Sequence, residues 1–321
     1  MHTGVGLAWK RLARGIALAL LLCGSAAASG ACGQAVPSTS GAVLDDLGRT
    51  VSVENPAQRI VSLAPSNTEL LFALGLGDRL VGVTAYCDYP PEALDKESVG
   101  DFSTPDLERV LALQPDLVVA ASIHEADTIP ALERSGLTVV ALAPATLDDM
   151  LNDIRLLGEL TGCTEEASLL AGALAARIEA VTTKAAGAGQ EPRVLHITWH
   201  EPIWTVGSAT TTQELIDRAG GTNIYGHALT GHAIVELESV VGANPEIIVA
   251  SAGHGEAQDK PFDWAMNEPR LAGTAARQNG RVYSINADWV SRNGPRIVDA
   301  LECYAYYLHP DLFPRPEGGD E

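Results

Sequence analysis

Apolar residues recur along this chain with two periods, and the points where the period changes divide it into elements. "RIVSLA", from Arg59, is a short unbroken apolar run of the kind a doubly buried strand requires. "TELLFALGLG" follows with helical spacing and ends at Gly75 and Gly77, as helices do. Ser66 or Asn67 is placed to cap that helix near Thr68, with Glu69 in its first turn. "TPDLERVLALQPDLVVAA" then gives a helix stopped by Pro115 and a buried strand, and "TIPALERSGLTVVALA" gives the same order again. Such alternation predicts a parallel α/β lobe over residues 58–145.

Residues 146–188 keep helical spacing without a strand. Gly162 and Cys163 interrupt the run, so a short helix precedes a long one from about Glu165 to Thr183. The first pattern then restarts. "PRVLHITW" reads as a strand, "TTTQELIDRAGG" as a capped helix, "GRVYSI" as a strand and "PRIVDALECYAYYL" as a terminal helix. "LESVVGANPEIIVAS" repeats "LERVLALQPDLVVAA" nearly position for position. The expected architecture is α/β: two Rossmann-like lobes, 58–145 and 189–315, joined by a long helix, with a ligand cleft between them. Ahead of the first lobe, "VLDDLGRTVSVE" alternates like an edge hairpin within the segment 32–57.

The first 31 residues read as an export signal. Lys10, Arg11 and Arg14 precede the apolar stretch Gly15–Leu22, and small residues follow. That stretch is much shorter than the roughly 20 residues a membrane span needs. Cleavage at an Ala-x-Ala-like site is one outcome. The other is lipid attachment at Cys32, which the polar tether "GQAVPSTSG" favours, although "SGA" makes an imperfect lipobox. The leader holds three bases and no acid, so its removal takes the net charge from −20 to −23. Such a balance excludes a nucleic-acid partner and suits a dispersed protein outside the cytoplasm. Cys87, Cys163 and Cys303 have no metal-ligand spacing, leaving one pair with a free thiol or three buried thiols.

Catalytic signatures are missing: there is no GxSxG, Walker loop, GxGxxG after a strand, or HExxH. The expectation is a protein that is not an enzyme and needs no cofactor. His196, His200, His227 and His232 cluster in sequence, with His254 beyond them, and His196 and His200 would share a strand face. A zinc site or metalloenzyme is the alternative they raise, but no carboxylate or cysteine falls at supporting spacing. Aromatics are more coherent. Tyr86 and Tyr89, on the proline turn "AYCDYPPEA", follow the second strand, and Phe102 lies in the next loop. Trp199 and Trp204 follow the first strand of lobe two, and Trp289 follows the last. Loops at the carboxyl ends of parallel strands line the ligand crevice, so rings there in both lobes predict a large, partly apolar ligand. Glu108 and Glu238 open the two repeated helices. A carboxylate at a helix N-terminus explains each singly, whereas their matched placement suits a partner with two symmetric basic pockets.

"RIVSLAPSNTELLFALG", "VTAYCDYPPEA", "DLERVLALQPDLVV" and "DWVSRNGPRI" resemble the substrate-binding proteins of ABC importers for cobalamin, haem and iron-siderophores, with the cobalamin binders nearest. The likeness runs over roughly residues 58–309. It implies an extracytoplasmic, monomeric protein that delivers a corrinoid to a dimeric permease with its ATPase subunits. Tyr86 would lie against the corrin ring, and Phe102 stands where the cobalamin binders have Trp. Pro65 and Ser66 fall in the first ligand loop, and Asp288, Trp289 and Arg292 in the ligand-contacting segment of lobe two. Glu108 and Glu238 match the glutamates that dock on permease arginines. His232 replaces a Trp six residues before the second docking Glu, and Trp204 replaces a Phe. The family's disulfide cannot form, because Ala219 occupies the place of the partner of Cys303. These departures keep haem and ferric siderophores as alternative ligands.

Overall fold

The computed structural model describes residues 42–252 and 260–316. The expected export signal, Cys32, the expected tether up to residue 41 and His254 lie outside the described residues. The described chain opens with a hairpin, β1 (Val43–Leu44) against β2 (Thr50–Val51). Its turn is held by the Asp45 carboxylate, which accepts the N–H groups of Leu47 and Arg49.

Lobe one then runs β3 (Ile60–Ser62), α1 (Pro65–Ala73), β4 (Leu80–Val83), β5 (Glu97–Ser98), α2 (Leu107–Ala112), β6 (Leu117–Ala121), α3 (Thr128–Arg134) and β7 (Val139–Leu142). Its five strands are all parallel, in the order β5-β4-β3-β6-β7. The chain direction across the sheet reverses between β3 and β6, which opens a crevice at their carboxyl ends. The helix α1 begins earlier than its polar residues imply. Ala64 is its N-cap without a side-chain bond, and Pro65 sits in the first turn, where its fixed φ suits the helix and its missing N–H is no loss. Asn67 is pulled inward instead, its amide donating to the Ala120 carbonyl at 2.8 Å.

Two helices follow, α4 (Leu147–Thr161) and the 23-residue α5 (Thr164–Ala186), about 35 Å long. Gly162 separates them in the left-handed conformation, φ +72°, that glycine adopts without strain. The interruption at Gly162 and Cys163 therefore stands as expected.

Lobe two contains β8 (Arg193–Ile197), β9 (Trp199–His200), β10 (Ile203–Val206), α6 (Thr211–Arg218), β11 (Thr222–Asn223), β12 (His232–Val235), α7 (Leu237–Ala243), β13 (Ile247–Ala252), α8 (Lys260–Asn267), α9 (Ala275–Gln278), β14 (Val282–Asn286), α10 (Ala287–Ser291) and α11 (Ile297–Leu308). Its parallel sheet is ordered β11-β8-β13-β14. In both lobes the first strand lies between the next parallel strand and the later pair, the spatial form of the repeated sequence. A second sheet, antiparallel and ordered β12-β10-β9, lies outside the α/β alternation. Its signal was the two-residue period of "IWTV": Ile203 and Thr205 are buried, while Trp204 between them is exposed. Cys87, Cys163 and Cys303 are all buried, and among the described residues none forms a disulfide.

Candidate ligand cleft

The turn after β4 carries Tyr86 and Tyr89, the first of the aromatic residues expected at a cleft. Cys87 anchors the turn from below. Its sulfur lies 3.1 Å from the Thr68 hydroxyl and 3.2 Å from that of Thr84, and burial pushes its thiol pKa up despite those bonds. With the turn so fixed, Tyr86 is left 58% exposed, a free ring face in a chain that has few rings. Tyr89 is not buried beneath it. It is 42% exposed, and the Arg296 guanidinium lies over its ring at 3.8 Å.

Phe102 is held by a residue that sequence reasoning missed. His124 is buried at the end of β6, and its ring meets Phe102 edge-on at 5.6 Å. Its Nδ1 accepts the Ala121 N–H, so Nε2 carries the proton and donates to the Phe102 carbonyl at 2.7 Å. Burial lowers the His124 pKa, and the ring acts as a neutral clasp on the loop. No motif marks it, because a lone histidine after an apolar strand has no distinctive spacing.

A cluster of charges crosses from lobe one to lobe two. Arg292 lies 2.5 Å from Asp88 of the proline turn, 3.1 Å from Asp288 and 3.5 Å from Glu69. Arg296 takes the buried Glu69 carboxylate in a fork, at 2.5 and 2.9 Å. Burial raises the pKa of Asp88, but the hydrogen bonds and charge of Arg292 outweigh it and hold the carboxyl below its usual range. Gly294 lets the two lobes approach here, since a Cβ at that position would stand 3.2 Å from Glu69 Oε2. Arg292, expected to face the ligand, is thus paired with Asp88 and Glu69 across the lobe junction and with Asp288 on its own lobe. Pro65 and Ser66 are half-buried at the opening of α1 beside it. Glu69 was read from the sequence only as a first-turn acid, whereas α1 begins at Pro65 and places it in the second turn; Asp88 and Arg296 were not singled out, and the signal available for the latter was the pair of arginines in "SRNGPR".

In lobe two, Trp204 is 36% exposed on β10, and Trp199 is half-buried beside it on β9, its indole N–H donating to the Glu201 carbonyl. Trp289 is half-buried and packs on the main core. His232 is exposed and lines a cavity of about 320 Å³ together with His196, Thr198, Ser251 and Pro144 of the lobe-one exit. The expected common face for His196 and His200 is not found. The strand ends at Ile197, His196 is buried against Tyr304, and His200 packs beside Trp199. Among the described residues, no three of His, Cys, Asp and Glu are grouped to hold a metal. A larger cavity, about 820 Å³, is lined by the end of α5, β11 and the segment leading into β8. It lies at the amino ends of the strands, the end opposite the crevice.

Glu108 and Glu238 are exposed in the first turns of α2 and α7. Asp106 caps α2 by accepting the N–H groups of Glu108 and Arg109, so Glu108 is not needed as the cap. Glu238 lies 3.5 Å from Arg270.

Over residues 60–289 the chain belongs to the periplasmic binding protein family, a class of solute-binding proteins. Among curated relatives, the vitamin B12-binding protein of Vibrio cholerae serotype O1 is 33% identical over 254 residues, 79% of this chain and 90% of that protein. The uncharacterized ABC transporter substrate-binding lipoprotein YvrC of Bacillus subtilis is 31% identical over 280 residues, 84% of this chain and 85% of that one. Among solved structures, the periplasmic vitamin B12 binding protein BtuF of Vibrio cholerae superposes with a TM-score of 0.69 at 32% identity, over 79% of this chain and 98% of that one. The periplasmic heme-binding protein RhuT from Roseiflexus sp. RS-1 does so at 0.70 and 25% identity, over 80% of this chain and 99% of that one.

Proposed function

We propose that this protein is the extracytoplasmic binding component of an ABC importer and that it carries cobalamin or a related corrinoid in the cleft between its lobes. The observation that bears most weight is that relatives sharing about a third of its sequence, over most of both chains, are vitamin B12-binding proteins. The cleft agrees with that reading. Tyr86 offers an exposed ring face from lobe one, with Phe102 in the following loop, and Trp199 and Trp204 stand on lobe two. Affinity comes from desolvating the faces of a flat ligand between these side chains. No chemistry is performed on it. Lobes 58–145 and 189–315 work as two bodies about the linker 146–188, with little closure because a helix is stiffer than a loop hinge. Glu108 and Glu238 dock on basic pockets of the permease dimer that works with the ATPase subunits. The anchor is a lipid on Cys32, which keeps a monomer at the membrane surface.

Haem is the second reading, favoured by one residue. His232 is exposed at the cleft, where an imidazole could take an axial position on iron. Calorimetric titration of the full chain with cyanocobalamin, hemin and a ferric siderophore decides between them. Micromolar or tighter binding of cyanocobalamin is expected. Binding of hemin without cyanocobalamin would replace the first reading by the second.

A further inference from the structure

Among the described residues, the 320 Å³ cavity lined by lobe two and by Pro144 and Ala145 of the segment leaving lobe one contains no Phe, Trp or Tyr. Its lining includes Thr198, Ser251, His196 and the first turn of α6, and among the described residues no Asp, Glu, Lys or Arg lines it, in a chain of net charge −20. Its volume lies at the bottom of the range for whole ligands, so it suits a part of one. Thr198 Oγ1 is buried with no hydrogen-bond partner in the protein, an orphan group of the kind a bound ligand satisfies.

A buried chain of hydrogen bonds leads to this cavity. The Tyr304 hydroxyl lies 2.8 Å from His196 Nδ1, and His196 Nε2 lies 3.3 Å from Ser251 Oγ. Tyr304 and His196 are 0% and 1% exposed. Burial, with the nearby His232 adding to it, takes the His196 pKa down to about 3, so the imidazole is neutral and carries one proton. Burial likewise keeps Tyr304 a neutral hydroxyl. If the ring proton were on Nδ1, the Tyr304 hydroxyl would have no acceptor for its own hydrogen. The arrangement that leaves no buried hydrogen unpaired has Tyr304 donating to Nδ1 and Nε2–H donating to Ser251. The Ser251 hydroxyl then has no acceptor for its hydrogen among the described residues, and Ser251 lines the cavity. Beside it, the N–H groups of Thr211 and Thr212 open α6 without acceptors inside the helix.

We propose that this cavity is a subsite for an oxyanion-bearing side arm of the ligand, with Ser251 as donor and His196 and Tyr304 as the residues that position its proton. The arm is the phosphodiester of a nucleotide loop in a corrinoid or the carboxylate of a propionate in haem. Hydroxyl and backbone donors on a lining without Asp, Glu, Lys or Arg recognise the oxygen acceptor by hydrogen bonding, leaving ring recognition to the aromatic walls. The subsite rests on the reading of the cleft as a solute site, and two measurements separate their failures.

In the first, inorganic phosphate is titrated into the full chain while the amide signals of Thr211, Thr212 and Ser251 are followed by NMR. Saturable millimolar shifts are expected, and Ser251→Ala weakens them about tenfold. Their absence would overturn the subsite whatever the cleft binds. In the second, cyanocobalamin is compared with dicyanocobinamide, which lacks the phosphodiester, and hemin with its dimethyl ester. Ser251→Ala and Tyr304→Phe should weaken the member carrying the oxyanion about tenfold and leave its neutral counterpart unchanged. Equal losses for both members of a pair would mean a structural role only and sink the proposal. If no macrocycle binds the unaltered protein, the proposed function fails and the phosphate titration still decides the subsite.

Discussion

Glu69 of lobe one and Arg296 of lobe two, 227 positions apart, form a two-bond fork at 2.5 and 2.9 Å across the lobe junction. Glu69 is only 3% exposed. Burial pushes its pKa up, while Arg296 and Arg292 pull the other way without fully offsetting it. A carboxylate in such a place is tolerable only with both guanidiniums beside it. The same arginine covers Tyr89, and Arg292 ties Asp88, so the ring-bearing turn of lobe one is fastened to lobe two on the same side.

Removing one member of this clasp strands the others. Glu69→Gln is expected to cost about 2–4 kcal/mol of unfolding free energy, measured by urea titration. Arg296→Met should cost a similar amount, and the double variant little more than either alone, because the two side chains stabilise each other. Fully additive losses would show that the fork contributes nothing as a pair.

Much of the architecture was legible because it is periodic. The two βα patterns, the glycine-broken linker at Gly162 and the repeated "LE…P" segments follow from apolar spacing and turn chemistry, which act locally. The junction was not legible. Glu69 read as a first-turn acid and Arg292 as a ligand contact, since nothing local in "TELLF" or "SRNGPR" reveals that the two segments meet. His124 and the Tyr304–His196–Ser251 chain were hidden for the same reason: each joins residues whose separation in sequence has no period. The antiparallel sheet was missed through its brevity, because β9 has two residues and β10 four.

Tyr86 gives a cleaner test of the cleft than any charged residue. At 58% exposure it supports little of the fold, so Tyr86→Ala should leave the unfolding free energy from urea titration within about 0.5 kcal/mol of the original. Loss of one ring face should lower affinity for the bound macrocycle about tenfold in calorimetry. An unchanged affinity would remove Tyr86 from the site.

Permease docking can be separated from ligand capture, because Glu108 and Glu238 are exposed and lie on helices away from the cavity lining. Glu108→Arg combined with Glu238→Arg should abolish importer-dependent uptake in cells while calorimetric affinity stays the same. Glu238→Arg alone also sets a cation facing Arg270, so the single Glu108→Arg variant, with a partial loss of uptake, is the control against local disturbance. Uptake that survives the double change would end the docking assignment.

Stability should fall as pH rises, and Asp153 is the reason. It is 1% exposed on α4, with Asp46 and Asp149 close enough to oppose its charge. Burial first, and then those neighbours, push its pKa up to about 9. The folded protein therefore keeps a proton that the unfolded chain releases near pH 4, and the unfolded state binds fewer protons throughout the interval between. Each pH unit within it favours unfolding by up to about 1.4 kcal/mol, and the effect is absent below pH 4, where both states are protonated. Asp46, whose pKa burial also raises, adds a smaller slope of the same sign. Asp153→Asn, which carries no titrating proton, should match the unaltered protein near pH 4 and exceed it increasingly at pH 7 and 9. Urea midpoints at those three values test this, and parallel curves for the two proteins would mean that Asp153 is ionised in the fold.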